Sequence, residues 1–255
     1  MIPIYRVPVS KDKLLALAPE ERVLFFLLGY AANQITLFQK LLILSTNNNP
    51  ENSEEQVLAA AQSQMLARLA IGILNEAYEV IHKRFLGRLI GKEYVDRLDA
   101  GGRAALERLK ERFGKSNLLT KLRTNFAFHH PSDGDVEAGF QATLKVDDLN
   151  AYWNWYMANS PINFFYLASD LVILGGMMKT AKQDTLIAAQ EVIMAEVRGA
   201  NDDLLEFISA FVVALWRKHF GQEFESAICA DITTAPNLMT TVIPFFLRTN
   251  AVSIS

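Results

Sequence analysis

The chain has 255 residues, 51% of them apolar and 21% charged, and its 25 Lys and Arg against 28 Asp and Glu give a formal net charge of −3. This composition excludes a disordered chain and supplies ample apolar material for a core, and the length suits one domain or two closely packed lobes. As a whole-chain value, the charge argues against a nucleic-acid binder of the strongly basic type. A lone cysteine, Cys229, leaves no intramolecular disulfide, and no Cys/His spacing resembles a zinc site, so a reducing, cytoplasmic setting is expected.

The N-terminal Met1-Ile-Pro-Ile-Tyr-Arg-Val-Pro has neither a basic n-region nor an apolar h-region, so it does not read as a secretory leader. Pro19 followed by Glu20 and Glu21 suits the first turn of a helix, which would run to about Leu44. The polar run 45–52 is a loop, and Ser53-Glu-Glu-Gln56 is a capping-box pattern opening a second helix to about Leu86. These two long elements are expected to form an antiparallel hairpin. Gly91, Gly101, Gly102 and Gly114 divide the next stretch into pieces at roughly 92–98, 103–113 and 116–129, with Ser116 and Asn117 as caps and Pro131 as the stop. Between 136 and 146 the apolar residues fit both a strand and a helix, and a short helix is preferred because no partner strand is evident.

After Pro161, helices are expected at about 161–178 and 183–199, then a third capped by Asn201-Asp202 with the stripe Leu204, Phe207, Ile208, Phe211, Leu215, Trp216. The last 35 residues look irregular, although Val242 to Leu247 is apolar enough to dock. The two most apolar stretches, Val23 to Leu44 and Ile162 to Met178, carry Asn33, Gln34, Gln39, Lys40 and Asp170, so they read as core helices rather than membrane spans. The expectation is an all-α single domain over 1–255. It would be a helical bundle built on the two long antiparallel N-terminal helices, with shorter helices and an irregular central segment, dividing, if anywhere, into lobes 1–130 and 131–255.

Counted by segment, the charge is uneven. Residues 1–81 hold 6 basic and 8 acidic side chains, 82–123 hold 12 and 5, and 124–255 hold 7 and 15. Lys83, Arg84, Arg88, Lys92 and Lys121 lie in the basic segment and are candidate RNA contacts. The competing reading is a solvated helix face with i, i+4 pairs such as Arg103–Glu107 and Glu111–Lys115.

The basic segment ends in Leu118-Leu-Thr-Lys-Leu-Arg-Thr-Asn-Phe-Ala-Phe-His-His-Pro131. An arginine and a histidine converging at a helix end suit phosphodiester cleavage. Imidazole can take a proton from a ribose 2′-hydroxyl, guanidinium can stabilise charge on the phosphorane, and no metal is required. Asn125 could orient the phosphate or the histidine. In an unbroken α-helix Arg123 and His130 would share a face, but Pro131 disfavours helical geometry at His130, which leaves His129 better held by the backbone.

Arg123-x5-His129, with Arg123-x6-His130 as the other register, resembles the Arg-x4–6-His signature of the HEPN (higher eukaryotes and prokaryotes nucleotide-binding) superfamily. The resemblance implies an all-α metal-independent endoribonuclease of toxin or defence type, without a cofactor, acting as a homodimer with two Arg–His pairs facing a shared cleft. In that family a polar residue, often Asn, directly follows the arginine. Here Thr124 follows, and Asn125 stands one position later. The alternative is a non-catalytic helical interaction or scaffold protein in which Arg123 pairs with a carboxylate and His129 fastens a loop.

Three further patterns carry less. Glu79-x-x-His82 is half of a di-iron motif without its second half, so no metal is expected. Asp133-Gly-Asp135-Val-Glu137 reads as a capped acidic turn rather than a calcium loop. Tyr152-Trp-Asn-Trp-Tyr156 could stack on bases, but core or interface packing is the stronger expectation.

Overall fold

The computed structural model describes residues 2–47, 52–114, 117–146, 152–158, 160–221, 227–232 and 234–247. The protein is all-α. In chain order it has β1 (Ile2–Arg6), α1 (Lys11–Ala16), α2 (Pro19–Thr46), α3 (Ser53–Arg84), α4 (Leu89–Val95), α5 (Ala100–Arg112) and α6 (Leu118–Leu122). A π-helical turn (Arg123–Ala127) then leads to α7 (Asp133–Thr143), a 3-10 turn (Pro161–Asn163), α8 (Leu167–Thr180), α9 (Leu186–Phe220) and β2 (Ala227–Ile232). The long helices at 19 and 53 start where the sequence places them, with Asn52 as the cap of α3: its Oδ1 accepts the Glu54 N–H at 2.8 Å. The ambiguous stretch near 136–146 is helical in α7. Ser132 and Asp135 close a capping box on its first turn, as the acidic-turn reading expects.

Two expectations are corrected. Asn201 and Asp202 do not cap a new helix, because α9 runs through them for 35 residues. The neighbouring Asp203, 4% exposed, is matched by α5, with Arg108 Nε at 2.6 Å and Arg112 Nη2 at 3.6 Å, so the buried charge beside the expected cap is neutralised within the continuous helix. Gly199 leaves room for this, since a Cβ there would collide with the Arg112 guanidinium. The termini also form an antiparallel two-stranded ladder, β1 with β2, in register Ile2↔Ile232 and Arg6↔Ala227 with an irregularity at Ile4/Tyr5. A strand whose partner lies at the other end of the chain leaves no local hairpin signal.

The chain divides into two compact units. The first comprises residues 1–37, 73–115 and 199–237, the second 38–72, 116–198 and 238–255. Their boundaries fall inside α2, α3 and α9. In the first unit the α9 stripe is buried, with Phe85 against Phe207 (5.2 Å between ring centroids) and Tyr94 against Phe211 (5.1 Å). The second unit packs Ala61, Leu167 and Leu171 with Val57, Tyr152, Tyr156 and Phe165. Its α7 and α8 approach closely at Gly139 and Gly175, where either Cβ would strike the other helix's backbone. The segment 242–247 docks here: Phe245 stands edge-on to Phe165 at 5.4 Å, and the Leu247 backbone exchanges two 2.9 Å hydrogen bonds with the Asn163 amide. By length and composition α3 is apolar enough to cross a membrane, and 56% of its apolar window is buried in the fold.

Candidate functional site

The histidine stretch lies in the second unit. Asn117 caps α6, its side chain accepting the Thr120 N–H at 2.7 Å, and the helix then widens into the π turn at Arg123. This corrects the expectation of an unbroken α-helix to about 129. A π turn pairs i with i+5 rather than i+4, so the residues after it no longer fall on the faces an α-helix would give them; such turns recur at functional sites. Two aromatic seats hold the wider turn. Phe126 is buried over Gly176 of α8, where a Cβ would sit 2.7 Å from the ring. Phe128 lies over Gly72 of α3, where a Cβ would also overlap the ring. The backbone between these seats and the capped start of α7 carries His129, His130 and Pro131.

His129 and His130 are both exposed and line one groove of about 330 Å³ with Arg68, Leu69, Phe128 and Ile173. Arg123 and Asn125 are half-buried and are not among the lining residues. The arginine lining the groove is instead Arg68, from α3. Its Nη2 is hydrogen-bonded to Asp170 Oδ1 of α8, and the two side chains are only 12% and 10% exposed. Arg68 Nη1 and Asp170 Oδ2 are enclosed without a hydrogen-bond partner. Burial pushes the Asp170 carboxyl up, and the charge and hydrogen bond of Arg68 oppose that without overcoming it. Sequence reading missed this pair, although a signal existed: a lone Asp in the apolar run of α8 and the single Arg in the Ala/Leu-rich middle of α3 each need a partner if buried.

Of the candidate RNA contacts, Lys83, Arg84, Arg88 and Lys92 belong to the first unit and Lys121 to the second, and all five are exposed. Lys83 pairs with Glu79 at 2.8 Å, and Arg88 Nε donates to the Lys83 carbonyl at 3.1 Å. Elsewhere in the basic segment, Glu107 pairs with Lys110 at 2.6 Å while Arg103 reaches the Leu98 carbonyl, in place of the Arg103–Glu107 pair expected. Lys115 lies outside the described residues. Part of the local positive charge is met by α9, where Arg108 also reaches Glu206 at 2.8 Å. The His82 ring stacks on Tyr78 at 6.2 Å, and among the described residues no group of three metal-ligating side chains gathers.

The aromatic stretch divides between two roles. Tyr152 and Tyr156 enter the second unit's core, as expected. Burial and a hydrogen bond to Glu54 push the Tyr156 phenol up to about 12. Trp155, by contrast, is 67% exposed and meets Tyr166, 57% exposed, edge to face at 6.0 Å. No protein-family model, curated protein or solved structure matches the chain.

Proposed function

We propose that this chain is an RNA-binding protein of HEPN-like type that acts as a metal-independent endoribonuclease, with its chemistry in the His129–His130 groove. The observation that carries the reading is that two adjacent, exposed histidines and an arginine line one cavity. One neutral imidazole takes the proton of a ribose 2′-hydroxyl, whose oxygen attacks the adjacent phosphorus. The 5′-oxygen leaves with the P–O electron pair and takes a proton from the other imidazole in its charged form. The products are a 2′,3′-cyclic phosphate and a 5′-hydroxyl, with no net change in protons. Arg68, which lines that cavity and is paired with Asp170, is proposed for the part that residue type assigned to Arg123, and Lys83, Arg84, Arg88, Lys92 and Lys121 are the cations proposed to attract the strand.

The reading includes a homodimer, supported by α2. Val23, Phe26, Tyr30 and Leu37 are 45%, 52%, 63% and 54% exposed at alternating three- and four-residue spacings, with Asn33 completing the row. Gly29 sits beside this stripe, and nothing lies within 4 Å of where its Cβ would be. A mid-helix glycine costs about 1 kcal/mol relative to alanine, and nothing described within the protomer accounts for it. A helix of a second copy crossing there does.

The scaffold reading keeps one observation of its own: Arg68 already has an internal anion in Asp170. The test is incubation of single-stranded RNA with the protein in chelator, beside His129→Ala and Arg123→Ala. His129→Ala should cut the rate about 100-fold or more. Unchanged cleavage removes the substituted residue from the mechanism, and an inactive parent favours the scaffold. The solution mass should be that of a dimer, and Tyr30→Glu should halve it.

A further inference from the structure

Beside the histidine groove the second unit carries a preformed aromatic shelf. The backbone pins it. Tyr156 and Phe165 exchange hydrogen bonds of 2.7 and 2.9 Å in an antiparallel bridge, and the Ala168 N–H donates to the Asn154 carbonyl at 2.9 Å. Side chains alternate across such a pairing, so Tyr156 turns into the core while Trp155, opposite Tyr166, turns out. Trp153 is braced edge-on against Phe140 of α7 at 5.6 Å. Trp153, Asn154, Trp155, Tyr166 and Ser169 line a second cavity of about 440 Å³. Two large exposed aromatics on a fixed backbone are costly to leave in water, and nothing else described in this unit packs over them.

The shelf and the groove share α8. Ser169 lines the former and Ile173 the latter, one turn apart on the same helical face and about 6 Å along its axis. Successive stacked nucleotides advance by about 3.4 Å, so a strand with one phosphate in the groove has a base one or two positions away within reach of the shelf. A paired base cannot offer its face to an aromatic ring, whereas an unpaired one can.

We infer that Trp155 and Tyr166 form a base-stacking subsite that makes single-stranded RNA, with an unpaired base next to the phosphate held at His129 and His130, the substrate class of this site. The inference rests on the proposed function, and binding separates the two. The probe is a short 2′-O-methyl RNA of mixed sequence, which the chemistry above cannot cleave, titrated into the full chain in chelator and followed by tryptophan fluorescence and by anisotropy of a labelled strand. The parent should bind with quenching that disappears in Trp155→Ala. Trp155→Ala and Tyr166→Ala should each weaken binding about five- to a hundredfold, the usual range for losing one stacked base, and Trp155→Phe should stay within about threefold of the parent. Both side chains are more than half exposed, so thermal melting should stay at the parent value and exclude a folding defect. Parent-like affinity in both alanine variants, equal affinity for the same sequence as a duplex, or no binding by the parent overturns the inference. Binding that needs Trp155 without cleavage of ordinary RNA removes the ribonuclease and leaves the shelf. Cleavage that needs His129 but ignores Trp155 does the reverse.

Discussion

Glu21 in the first unit and Asp170 in the second are both helical carboxylates buried against cations, and their surroundings push them in opposite directions. Glu21, with a side chain 5% exposed, accepts from Tyr94 Oη at 2.7 Å, Lys218 Nζ at 2.6 Å and the Ala18 N–H at 3.1 Å, and it shares a 2.8 Å hydrogen bond with His219 Nε2. Burial alone would raise its carboxyl. The hydrogen bonds from Lys218, Tyr94 and Ala18, with the charge of His219, outweigh burial and hold it at about 2. Lys218 responds in kind: burial works against its charge, but bonds to Glu21 and to Glu93 at 2.6 Å hold its ammonium above the ordinary value. Asp170 has one guanidinium, and burial wins. A carboxylate whose oxygens are all met is a fastener of α2, α4 and α9. One that is half met keeps an enclosed oxygen without a hydrogen-bond partner, so burial outweighs the single cation beside it.

The largest expected effect tests the fastener. Glu21→Gln should destabilise the protein by about 3 kcal/mol near neutral pH, the free energy equivalent of holding a carboxyl at about 2 rather than 4.5. Denaturant unfolding checks it, and a loss below about 1 kcal/mol would break the comparison. The pH course carries a sign. A carboxyl whose folded value lies below its unfolded one contributes stability that is complete above about 4.5 and is lost as pH falls through about 2. The parent should therefore lose about 3 kcal/mol across that window, and Glu21→Gln should titrate more shallowly there.

The contrast also marks what sequence could reveal. Helix starts with a chemical signature were legible: Pro19 with its two glutamates, Asn117, and the acidic turn at 133–137. That His130 lies outside the helix was legible too, because Pro131 disfavours helical geometry at the residue before it, although the helical turn ends at Ala127 rather than at about 129. Contacts set by side chains far apart in sequence were not. Arg68 and Asp170 stand in separate apolar runs, and the wider turn at Arg123 depends on ring seats at Gly72 and Gly176 that no local pattern encodes. The apparent cap at Asn201-Asp202 fails because α9 continues through it, with the buried charge of the adjacent Asp203 met by Arg108 and Arg112 of α5.

A smaller effect sharpens the other half of the comparison. Arg68→Met keeps an unbranched apolar stem but removes the charge and hydrogen bond that draw the Asp170 carboxyl down. With burial then unopposed the Asp170 carboxyl is pushed further up, so part of the cost of an unpaired charge is avoided and the expected loss falls below the roughly 3–5 kcal/mol usual for stripping one partner from a fully enclosed pair. A carboxyl whose folded value lies above its unfolded one contributes stability at low pH that is lost as pH rises through the folded value. The penalty of Arg68→Met should therefore be near zero in acid and develop only above the ordinary carboxylate range. That of Glu21→Gln is already complete by about pH 4.5. Stability curves for both variants from about pH 2 to 8 test this separation. A full Arg68→Met penalty already present in acid would mean that Arg68 stabilises the fold independently of the Asp170 charge, and the contrast with Glu21 would fail.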